Sequence, residues 1–327
     1  MIDKIEVENL TVFEKLEINT NSPINVFIGE NGTGKTQLLK FIYGTWEIWN
    51  NTWEELFNVP VAALIKNKNL ERACVCIAFG DERILHEMTS ESWDRKARTT
   101  LHSEDRFYQM DEHHKNFIFI PAKDMLTHSK GLPEMKEKYG RNMPFDKTLI
   151  DIITKARYWN VGKIPELAKN MIPRLEDVLD GKVVIESERF FIEKRNGDKI
   201  PFDTIAEGIK KIGLLWQLLM NESITEGSIL LWDEPEININ PKLTAIIVRI
   251  LSELSQNGVQ IFLSTHDYFL AKYLDIIEND CIFHSLYQTE QGVKCESNTT
   301  FSKLTHNDIM DERVHLYDAE LEKEFSS

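Results

Sequence analysis

Two segments nearly two hundred residues apart contain residue types whose spacing could bind and cleave a nucleoside triphosphate. Residues 29–36, with the sequence GENGTGKT, match the pattern G-x-x-x-x-G-K-[ST] of phosphate-binding loops. Residues 229–234 form an apolar run that ends in two adjacent carboxylates, Asp233 and Glu234. A nucleoside triphosphate with bound Mg²⁺ requires a loop of this kind for its phosphates and a carboxylate for its metal.

Each residue type in the two segments suits one part of this chemistry. Glycines leave backbone N–H groups free to surround phosphate oxygens, and a helix starting near Gly34 directs its positive end at them. We expect Lys35 to reach the β- and γ-phosphates. Thr36 and Asp233 are the predicted Mg²⁺ ligands, and Glu234 is placed to polarise the attacking water. The predicted nucleotide-binding residues of the loop are Gly29, Glu30, Asn31, Gly32, Thr33, Gly34, Lys35 and Thr36.

Two other interpretations of the glycine-rich loop are an ordinary turn and part of a dinucleotide-binding fingerprint. The Lys35–Thr36 pair, the preceding apolar run at 24–28 and the following apolar helix pattern all favour nucleoside triphosphate binding.

The elements that must hold these motifs can be read coarsely from the apolar pattern. Residues 81–112 are polar and are predicted to be irregular, whereas 145–179 are predicted to be helical with breaks at Pro165 and Pro173. The runs of strand length are residues 5–7, 16–18, 24–28, 74–79, 117–120, 182–185 and 190–193.

Histidines and cysteines offer weaker candidates for a metal site. His102, His113 and His114 lie in or beside the polar stretch, where a solvated insertion is favoured over a metal site. Cys74 and Cys76 would share one face of a strand, but further ligands at zinc-site spacing are lacking. Reduced structural cysteines are the favoured interpretation.

Two further constellations accompany the main motifs. Residues 204–211 open a helix at which Ala206, Glu207 and Gly208 could present free N–H groups to an anion, or could be a plain helix start. Residues 261–267 form an apolar strand that ends in Ser-Thr-His. A lone histidine such as His266 is usually structural, but this one follows the carboxylate strand at the separation of adjacent parallel strands, which place ligands at their carboxyl ends.

Composition limits the class of protein. The 327 residues are 42% hydrophobic and 28% charged, which describes a globular protein with ample length for a core. The sequence has no apolar run of membrane-spanning length and no signal peptide, so we expect a cytoplasmic protein without a membrane partner. A formal net charge of −15 counts against broad nucleic-acid binding, although a local basic groove remains open.

Taken in order, the motifs resemble those of ABC-type ATPases of the SMC, RecF and OLD branch over residues 1 to about 280. The resemblance implies an α/β fold: a P-loop NTPase with ABC-type architecture, in which a mixed-sheet core carries a helical lobe. It also implies one domain over 1–327, within which 81–180 would be a mostly helical or irregular insertion.

The resemblance assigns roles to the motifs. Residues 29–36 are similar to Walker A, 229–234 to Walker B with Glu234 as catalytic glutamate, and 233–241 to the D-loop region. His266 matches the switch histidine. The implied cofactors are ATP and Mg²⁺, and two protomers would meet head to tail, with the signature residues of each capping the ATP of the other. The implied signature residues are Ala206, Glu207 and Gly208.

The sequence departs from the family pattern at two places. Ala206 stands where a signature serine is usual, which removes one hydrogen bond to the γ-phosphate worth about 1.5–3 kcal/mol if it is charge-assisted. Residues 119–124 occupy the place of the Q-loop without its glutamine, and Lys123 or Asp124 is the expected substitute.

Features that are missing shape the functional hypothesis. The stretch between Thr36 and Asp203 has no sustained heptad repeat for a coiled-coil arm, and the 61 residues after His266 are few for a Toprim domain. We therefore expect a stand-alone ATPase that regulates an effector from a neighbouring gene. The resemblance implies that it forms an ATP-dependent homo-oligomer, a dimer or higher, and that it acts in antiphage defence, because stand-alone proteins that resemble it often lie in bacterial defence operons. The alternatives are a nucleotide-dependent sensor or scaffold that restrains a toxin with negligible hydrolysis, and a RecF-like DNA-repair ATPase.

Overall fold

A computed structural model describes residues 1–47, 53–92, 96–103, 116–140, 143–278 and 280–325 of the chain. The strands in these ranges are β1 (Lys4–Leu10), β2 (Phe13–Asn19), β3 (Ile24–Ile28), β4 (Arg72–Phe79), β5 (Glu82–Ser92), β6 (Lys96–Ser103), β7 (Phe117–Ile120), β8 (Gly181–Glu186), β9 (Arg189–Lys194), β10 (Lys199–Pro201), β11 (Ile229–Asp233), β12 (Gln260–Ser264), β13 (Cys281–Thr289) and β14 (Gly292–Asn298). The α-helices are α1 (Lys35–Glu47), α2 (Trp53–Phe57), α3 (Val61–Leu64), α4 (Leu132–Tyr139), α5 (Lys147–Ala156), α6 (Met171–Leu179), α7 (Glu207–Met220), α8 (Pro241–Gln256), α9 (Tyr268–Ile277) and α10 (Asp308–Phe325).

The central sheet is mixed and has the strand order β14-β13-β3-β12-β11-β7. The five strands from β13 to β7 pair in parallel, and β14 pairs with β13 in antiparallel. Every residue of β3, β11 and β12 is buried, as expected for parallel strands that are covered on both faces. Because the carboxyl ends of these three neighbouring strands lie at one edge of the sheet, the segments that follow them meet there.

Alternate residues of the central strands face two separate hydrophobic cores. Leu230 and Trp232 of β11 belong to the core built with α5 to α9, whereas Ile229 and Leu231 belong to the core built with α1 and the N-terminal strands. This alternation follows from the two-residue repeat of a strand. The central sheet is therefore held between two packed layers. Its carboxyl edge is a rigid base for the loops that follow the strands.

A second, antiparallel sheet has the order β2-β1-β4-β5-β6. Its last two strands correct the prediction that 81–112 are irregular, because β5 and β6 cover residues 82–92 and 96–103. The polar composition misled the prediction. Arg83 and Glu87 of β5 alternate with residues that pack inward, such as Ile84 and Met88, and this is the pattern of a sheet with one solvated face.

The predicted helical stretch at 145–179 contains α5 and α6, with a 3₁₀ turn at Glu166–Ala168 after Pro165. Pro173 does not interrupt a helix, contrary to the prediction. It lies in the first turn of α6, where the missing N–H would have no helical partner. Strand β7, which also falls within 81–180, belongs to the central sheet. The assignment of 1–327 to one domain with an insertion at 81–180 stays a prediction.

The four cysteines carry free thiols. Burial raises the pKa of Cys74 to about 11, so its sulfur stays protonated near neutral pH and is a poor metal ligand. Within the described ranges, the helices are all too short or too polar to cross a membrane.

Candidate functional site

The phosphate-binding loop joins β3 to α1, as the sequence predicted, and two of its glycines are required by the space around them. A side chain at Gly29 would place its Cβ 2.1 Å from the carbonyl oxygen of Leu286, and one at Gly34 would lie 2.6 Å from the ring of Phe13. Both residues also have positive φ angles, 134° and 90°. The loop is therefore held against the end of β13 and the start of β2, and its backbone curls around the helix N-terminus.

Lys35 begins α1 and its side chain turns back over the loop. Its Nζ donates to the carbonyl oxygens of Gly29 at 2.7 Å and Glu30 at 2.9 Å. Burial lowers the pKa of Lys35, while the carboxylates of Glu234 and Asp233 act in the opposite direction. An ammonium group held over the loop in this way would face the phosphate oxygens of a bound nucleotide.

Thr36 and Asp233 meet at the carboxyl edge of the central sheet. The Thr36 hydroxyl donates to both carboxylate oxygens of Asp233, at 2.9 Å and 3.0 Å, although the two residues are 197 positions apart. Ser264, at the end of β12, donates its hydroxyl to the same carboxylate. Burial raises the pKa of Asp233. A cation here would compensate for the desolvation of this carboxylate.

These donors fit Mg²⁺, because that ion prefers hard oxygen ligands and is usually bound by one or two protein groups together with substrate phosphates and water. Thr36 and Asp233 would hold the ion. Within the described residues there is no group of three or more His, Cys, Asp or Glu arranged for a metal. His102 lies on β6, and His113 and His114 fall outside the described residues.

Glu234 and His266 form the next pair. Nδ1 of His266 lies 3.1 Å from Oε1 of Glu234. Glu234 has a positive φ of 46°, and its N–H donates to the Ser264 carbonyl at 3.1 Å. The chain therefore turns sharply after β11, and the Glu234 carboxylate lies beside the His266 ring. A carboxylate beside the metal position can accept a proton from water, and the histidine is placed to orient it.

Glu236 is a site residue that the sequence analysis did not select. Its Oε1 accepts from the Thr265 hydroxyl at 2.6 Å and from the His266 N–H at 3.4 Å, so it fixes the segment that carries the histidine. Burial raises the pKa of Glu236. Ser264 was also missed as a site residue. The available signal was position, because Ser264 is the last residue of β12 and Glu236 follows the last residue of β11 by three positions.

The signature segment lies at the start of α7. Ala206 is the exposed N-cap of this helix and supplies no side-chain hydrogen bond, so the first N–H groups of α7 lack a side-chain cap. Gly208 is buried against the same chain, because a Cβ there would lie 3.0 Å from the Asn238 carbonyl and 3.3 Å from Ile239. Glu207 is partly exposed and accepts from Lys210 at 2.8 Å.

Lys211, one residue beyond Lys210 on α7, connects the signature helix to the carboxylate strand. Its Nζ donates to the carbonyl oxygens of Glu234 at 3.0 Å and Pro235 at 3.3 Å. Burial lowers the pKa of Lys211 to about 8. The sequence analysis did not identify this contact.

Neither expected substitute for the Q-loop glutamine contacts Thr36 or Asp233 in the structure. The Asp124 carboxylate accepts from the Leu126 N–H at 3.0 Å and from the Thr127 hydroxyl, and it lies 3.6 Å from Nζ of Lys210. Nζ of Lys123 lies 5.9 Å from the centre of the Phe145 ring. Asp124 therefore links this segment to the signature helix, and the choice between the two substitutes stays open.

Two family models match the chain. The model described as "AAA domain, putative AbiEii toxin, Type IV TA system" matches residues 86–272, which is more than half of the chain. A second model, described as "AAA domain", matches residues 4–46 and so contains the phosphate-binding loop. No curated protein matches the chain at a significant level.

Solved structures of SMC heads share the fold. An SMC head bound to the C-terminal winged-helix domain of ScpA is 14% identical, with a TM-score of 0.59, and the match covers 91% of this chain and 97% of that one. The SMC head domain from Thermotoga maritima is 14% identical, with a TM-score of 0.52 and coverage of 91% and 98%. A head with an extended coiled coil, bound to the C-terminal domain of ScpA from Pyrococcus furiosus, is 12% identical, with a TM-score of 0.57 and coverage of 95% and 99%. At such identities the likeness concerns the fold, and it confirms the predicted ABC-type architecture.

Proposed function

Because this chain belongs to the AAA-domain family whose model matches residues 86–272, and has the ABC-type fold of SMC heads, we propose that it is an ATPase whose ATP-driven dimerisation regulates a partner effector. One observation carries the proposal. Thr36, Asp233, Glu234 and His266 come from three separate segments, yet Thr36 donates a hydrogen bond to Asp233 and His266 lies within hydrogen-bonding distance of the adjacent Glu234.

The loop residues 29–36 bind the triphosphate, with Lys35 opposite the β- and γ-phosphates and Thr36 and Asp233 on Mg²⁺. The metal, when bound, neutralises charge that develops on the phosphate oxygens. Glu234 accepts a proton from the attacking water, and His266 holds the Glu234 carboxylate in position. These roles are supported by the distances of 2.9 Å and 3.1 Å within the two pairs.

The signature residues Ala206, Glu207 and Gly208 cap the ATP of a second protomer. The uncapped N-terminus of α7 supports this proposal, because free N–H groups and the helix dipole favour a bound anion. This arrangement would bury both nucleotides in the dimer interface. The stability of the dimer would therefore depend on the presence of the γ-phosphate.

The partner effector and the defence setting draw support from the comparisons. The matching family model names the AbiEii toxin and a type IV toxin–antitoxin system, and two of the similar SMC heads are bound to a domain of ScpA. We therefore propose that this ATPase controls a separate protein, in bacterial antiphage defence.

A second candidate function is a nucleotide-dependent sensor that hydrolyses ATP very slowly and restrains a toxin. The observation that favours it is Ala206, which lacks the hydroxyl that a signature serine would offer to the γ-phosphate. Steady-state phosphate release separates the two functions, because a sensor would bind ATP tightly without measurable turnover.

The Glu234→Gln variant tests the proposed function. Glutamine keeps the size and hydrogen bonding of the side chain but cannot accept the proton, so we expect hydrolysis to fall by about 10²–10⁴-fold while ATP affinity is kept. The variant should therefore accumulate as an ATP-bound dimer, which gel filtration with light scattering would detect with and without ATP and Mg²⁺.

The matched control blocks the contact between the signature residues and the ATP of the second protomer, without disturbing the fold of its own chain. Ala206 is exposed and has a φ of −59°, so Ala206→Arg can be accommodated in the monomer. Gly208→Arg is less suitable because its Cβ would press on the Asn238 carbonyl. We expect Glu234→Gln with Ala206→Arg to stay monomeric in ATP. Near-normal hydrolysis in Glu234→Gln would remove the glutamate from its role, and dimers unaffected by Ala206→Arg would refute the capped arrangement.

A further inference from the structure

The last helix, α10, projects from the protein next to the nucleotide site. Its 18 residues make it about 27 Å long at 1.5 Å per residue. Its beginning is anchored, because Ile309 and Met310 pack against the core and Arg313 lies over the ring of Tyr268. None of its residues is buried in the part of the chain that the structure describes. A helix of this length that gains so little from packing within its own chain presents a large free surface.

One face of α10 carries an apolar stripe with the spacing of a coiled-coil seam. Met310, Val314, Tyr317 and Leu321 follow one another at intervals of four, three and four residues. Val314 is 50% exposed and Tyr317 is 60% exposed. A narrow stripe with this period is suited to packing against a single second helix. We call these four residues the α10 seam.

The residues that flank the seam are mainly acidic. Asp311 and Asp318 lie on one side of it and Glu320 lies on the other. Arg313, the basic residue on that side, is already placed over the ring of Tyr268, 3.9 Å from its centre. Over its whole length α10 has seven acidic residues and two Lys or Arg residues. Two copies of this helix would bring like charges together along the seam, which disfavours self-association.

We propose that the α10 seam binds an amphipathic helix of a partner protein, with apolar residues facing the seam and Lys or Arg along both edges. The proposal rests on the proposed function for its setting, since this helix would belong to the regulated effector. Charge complementarity selects a basic helix over a second copy of α10.

The position of α10 connects this surface to the nucleotide. A cavity of about 640 Å³ lies between the two, lined by Gly29, Glu30 and His266 on one side and by Asp308 and Glu312 of α10 on the other. Asp308 and Glu312 lie on the face of α10 opposite the seam, so α10 itself would separate a helix docked on the seam from the phosphate-binding loop. Partner binding and nucleotide binding would therefore act on opposite faces of one helix.

The test uses a labelled synthetic helix of 21 residues with Leu at the seam-facing positions and Lys at the flanks, and measures fluorescence anisotropy with the full-length chain. Two further peptides are compared: the same helix with Glu at the flanks, and the sequence of residues 308–325. The measurement is made without nucleotide, so its outcome does not depend on whether the chain hydrolyses ATP or dimerises.

The matched variants add equal charge to opposite faces of α10. Val314→Glu with Leu321→Glu places two acids in the seam, whereas His315→Glu with Ala319→Glu places two acids on the opposite face. We expect the seam variant to weaken binding of the Lys peptide by at least about 10-fold, because carboxylates would be buried in an apolar contact. The opposite-face variant should stay within about twofold of the unmodified chain.

A nonspecific attraction of the Lys peptide to an acidic protein would strengthen equally in both variants, and that result would overturn the proposal. Equal or tighter binding of the 308–325 peptide would overturn it in favour of a second copy of this chain. Reversing the flanks with Asp318→Lys and Glu320→Lys should transfer the preference to the Glu peptide. An unchanged preference for the Lys peptide would show that the flanks do not select the partner.

Discussion

The two ends of the nucleotide site differ in how completely a single chain builds them. At the phosphate-loop end, Thr36, Asp233 and Ser264 are joined by side-chain hydrogen bonds, and Lys35 is buried over its own loop. At the signature end, Ala206 is exposed and gives its helix no side-chain cap. The residues proposed for metal binding and proton transfer are thus held together within the single chain. Under the proposed function, the signature end would complete a site only when a second protomer docks on it.

The largest expected effect comes from Lys35→Ala, which disrupts the phosphate-loop end of the site. The change removes the ammonium group opposite the phosphates, and each charge-assisted hydrogen bond to a phosphate oxygen is worth about 1.5–3 kcal/mol. We expect ATP affinity to fall by about 10–10³-fold and turnover to be lost. Isothermal titration calorimetry with a non-hydrolysable ATP analogue measures the affinity.

The control for this prediction is Lys15→Ala, which removes an exposed lysine of β2 and should leave ATP affinity unchanged. Circular dichroism should give both variants the spectrum of the unmodified chain. Full ATP binding by Lys35→Ala would exclude residues 29–36 as the phosphate-binding loop.

A smaller effect is expected where the two ends are joined, at Lys211. The Lys211→Met variant leaves the Glu234 and Pro235 carbonyl oxygens without their donor, while keeping the length of an apolar side chain. We expect kcat to fall by about 10-fold, because the backbone that carries the general base is less well held, and ATP affinity to stay within about twofold. Should both parameters stay unchanged, α7 would not position the glutamate.

Lys211 also gives a pH dependence of stability with a defined sign. Burial lowers the pKa of Lys211 to about 8 in the folded protein, against the ordinary lysine value of 10.5 in the unfolded chain. Between these values the unfolded chain binds more protons, so the contribution of this residue to the free energy of unfolding rises with pH from about 8 to about 10.5. The unmodified chain should therefore gain about 1–3 kcal/mol relative to Lys211→Met across this range, measured by urea unfolding.

The smallest expected effect comes from Ala206→Ser, which adds a side-chain hydroxyl at the N-cap of α7. A serine N-cap stabilises a helix by about 0.5–2 kcal/mol over alanine, and its hydroxyl could also reach the γ-phosphate of a second protomer. We expect a small rise in melting temperature. In the Glu234→Gln background, the ATP-bound dimer should form at a lower protein concentration.

Ala206→Gly separates the two contributions of the serine. Glycine is nearly as good an N-cap as serine but has no hydroxyl, so it should raise the melting temperature without tightening the dimer. If glycine and serine strengthened the dimer equally, the gain would come from the helix end and not from a contact with phosphate.

Much of the site could be predicted from the sequence because its motifs are short and locally encoded. The glycines of 29–36, the apolar run before them and the helix after them specify a loop of one shape, and β3, β11 and β12 are apolar enough to be recognised as buried strands. Adjacent parallel strands bring their carboxyl ends together, so the proximity of Asp233 and His266 to the loop followed from strand order.

The prediction failed where the local signal was polar or depended on contacts far along the chain. Strands β5 and β6 were predicted to be irregular because their sequences are predominantly polar. A proline at 173 signals a break by itself, but the position where α6 begins decides whether it is tolerated.

The sequence by itself determined the type of chemistry, since the residue types of the two Walker segments admit few other uses at that spacing. Only the tertiary structure decided how the signature helix meets that chemistry. Lys211 reaches the Glu234 carbonyl, and Gly208 rests on Asn238, through packing of α7 against segments more than twenty residues away. The same is true of α10, whose place beside the phosphate loop depends on how Ile309 and Met310 pack on the core. No local pattern encodes such contacts, because they arise from the shapes of two surfaces that the chain brings together only when it folds.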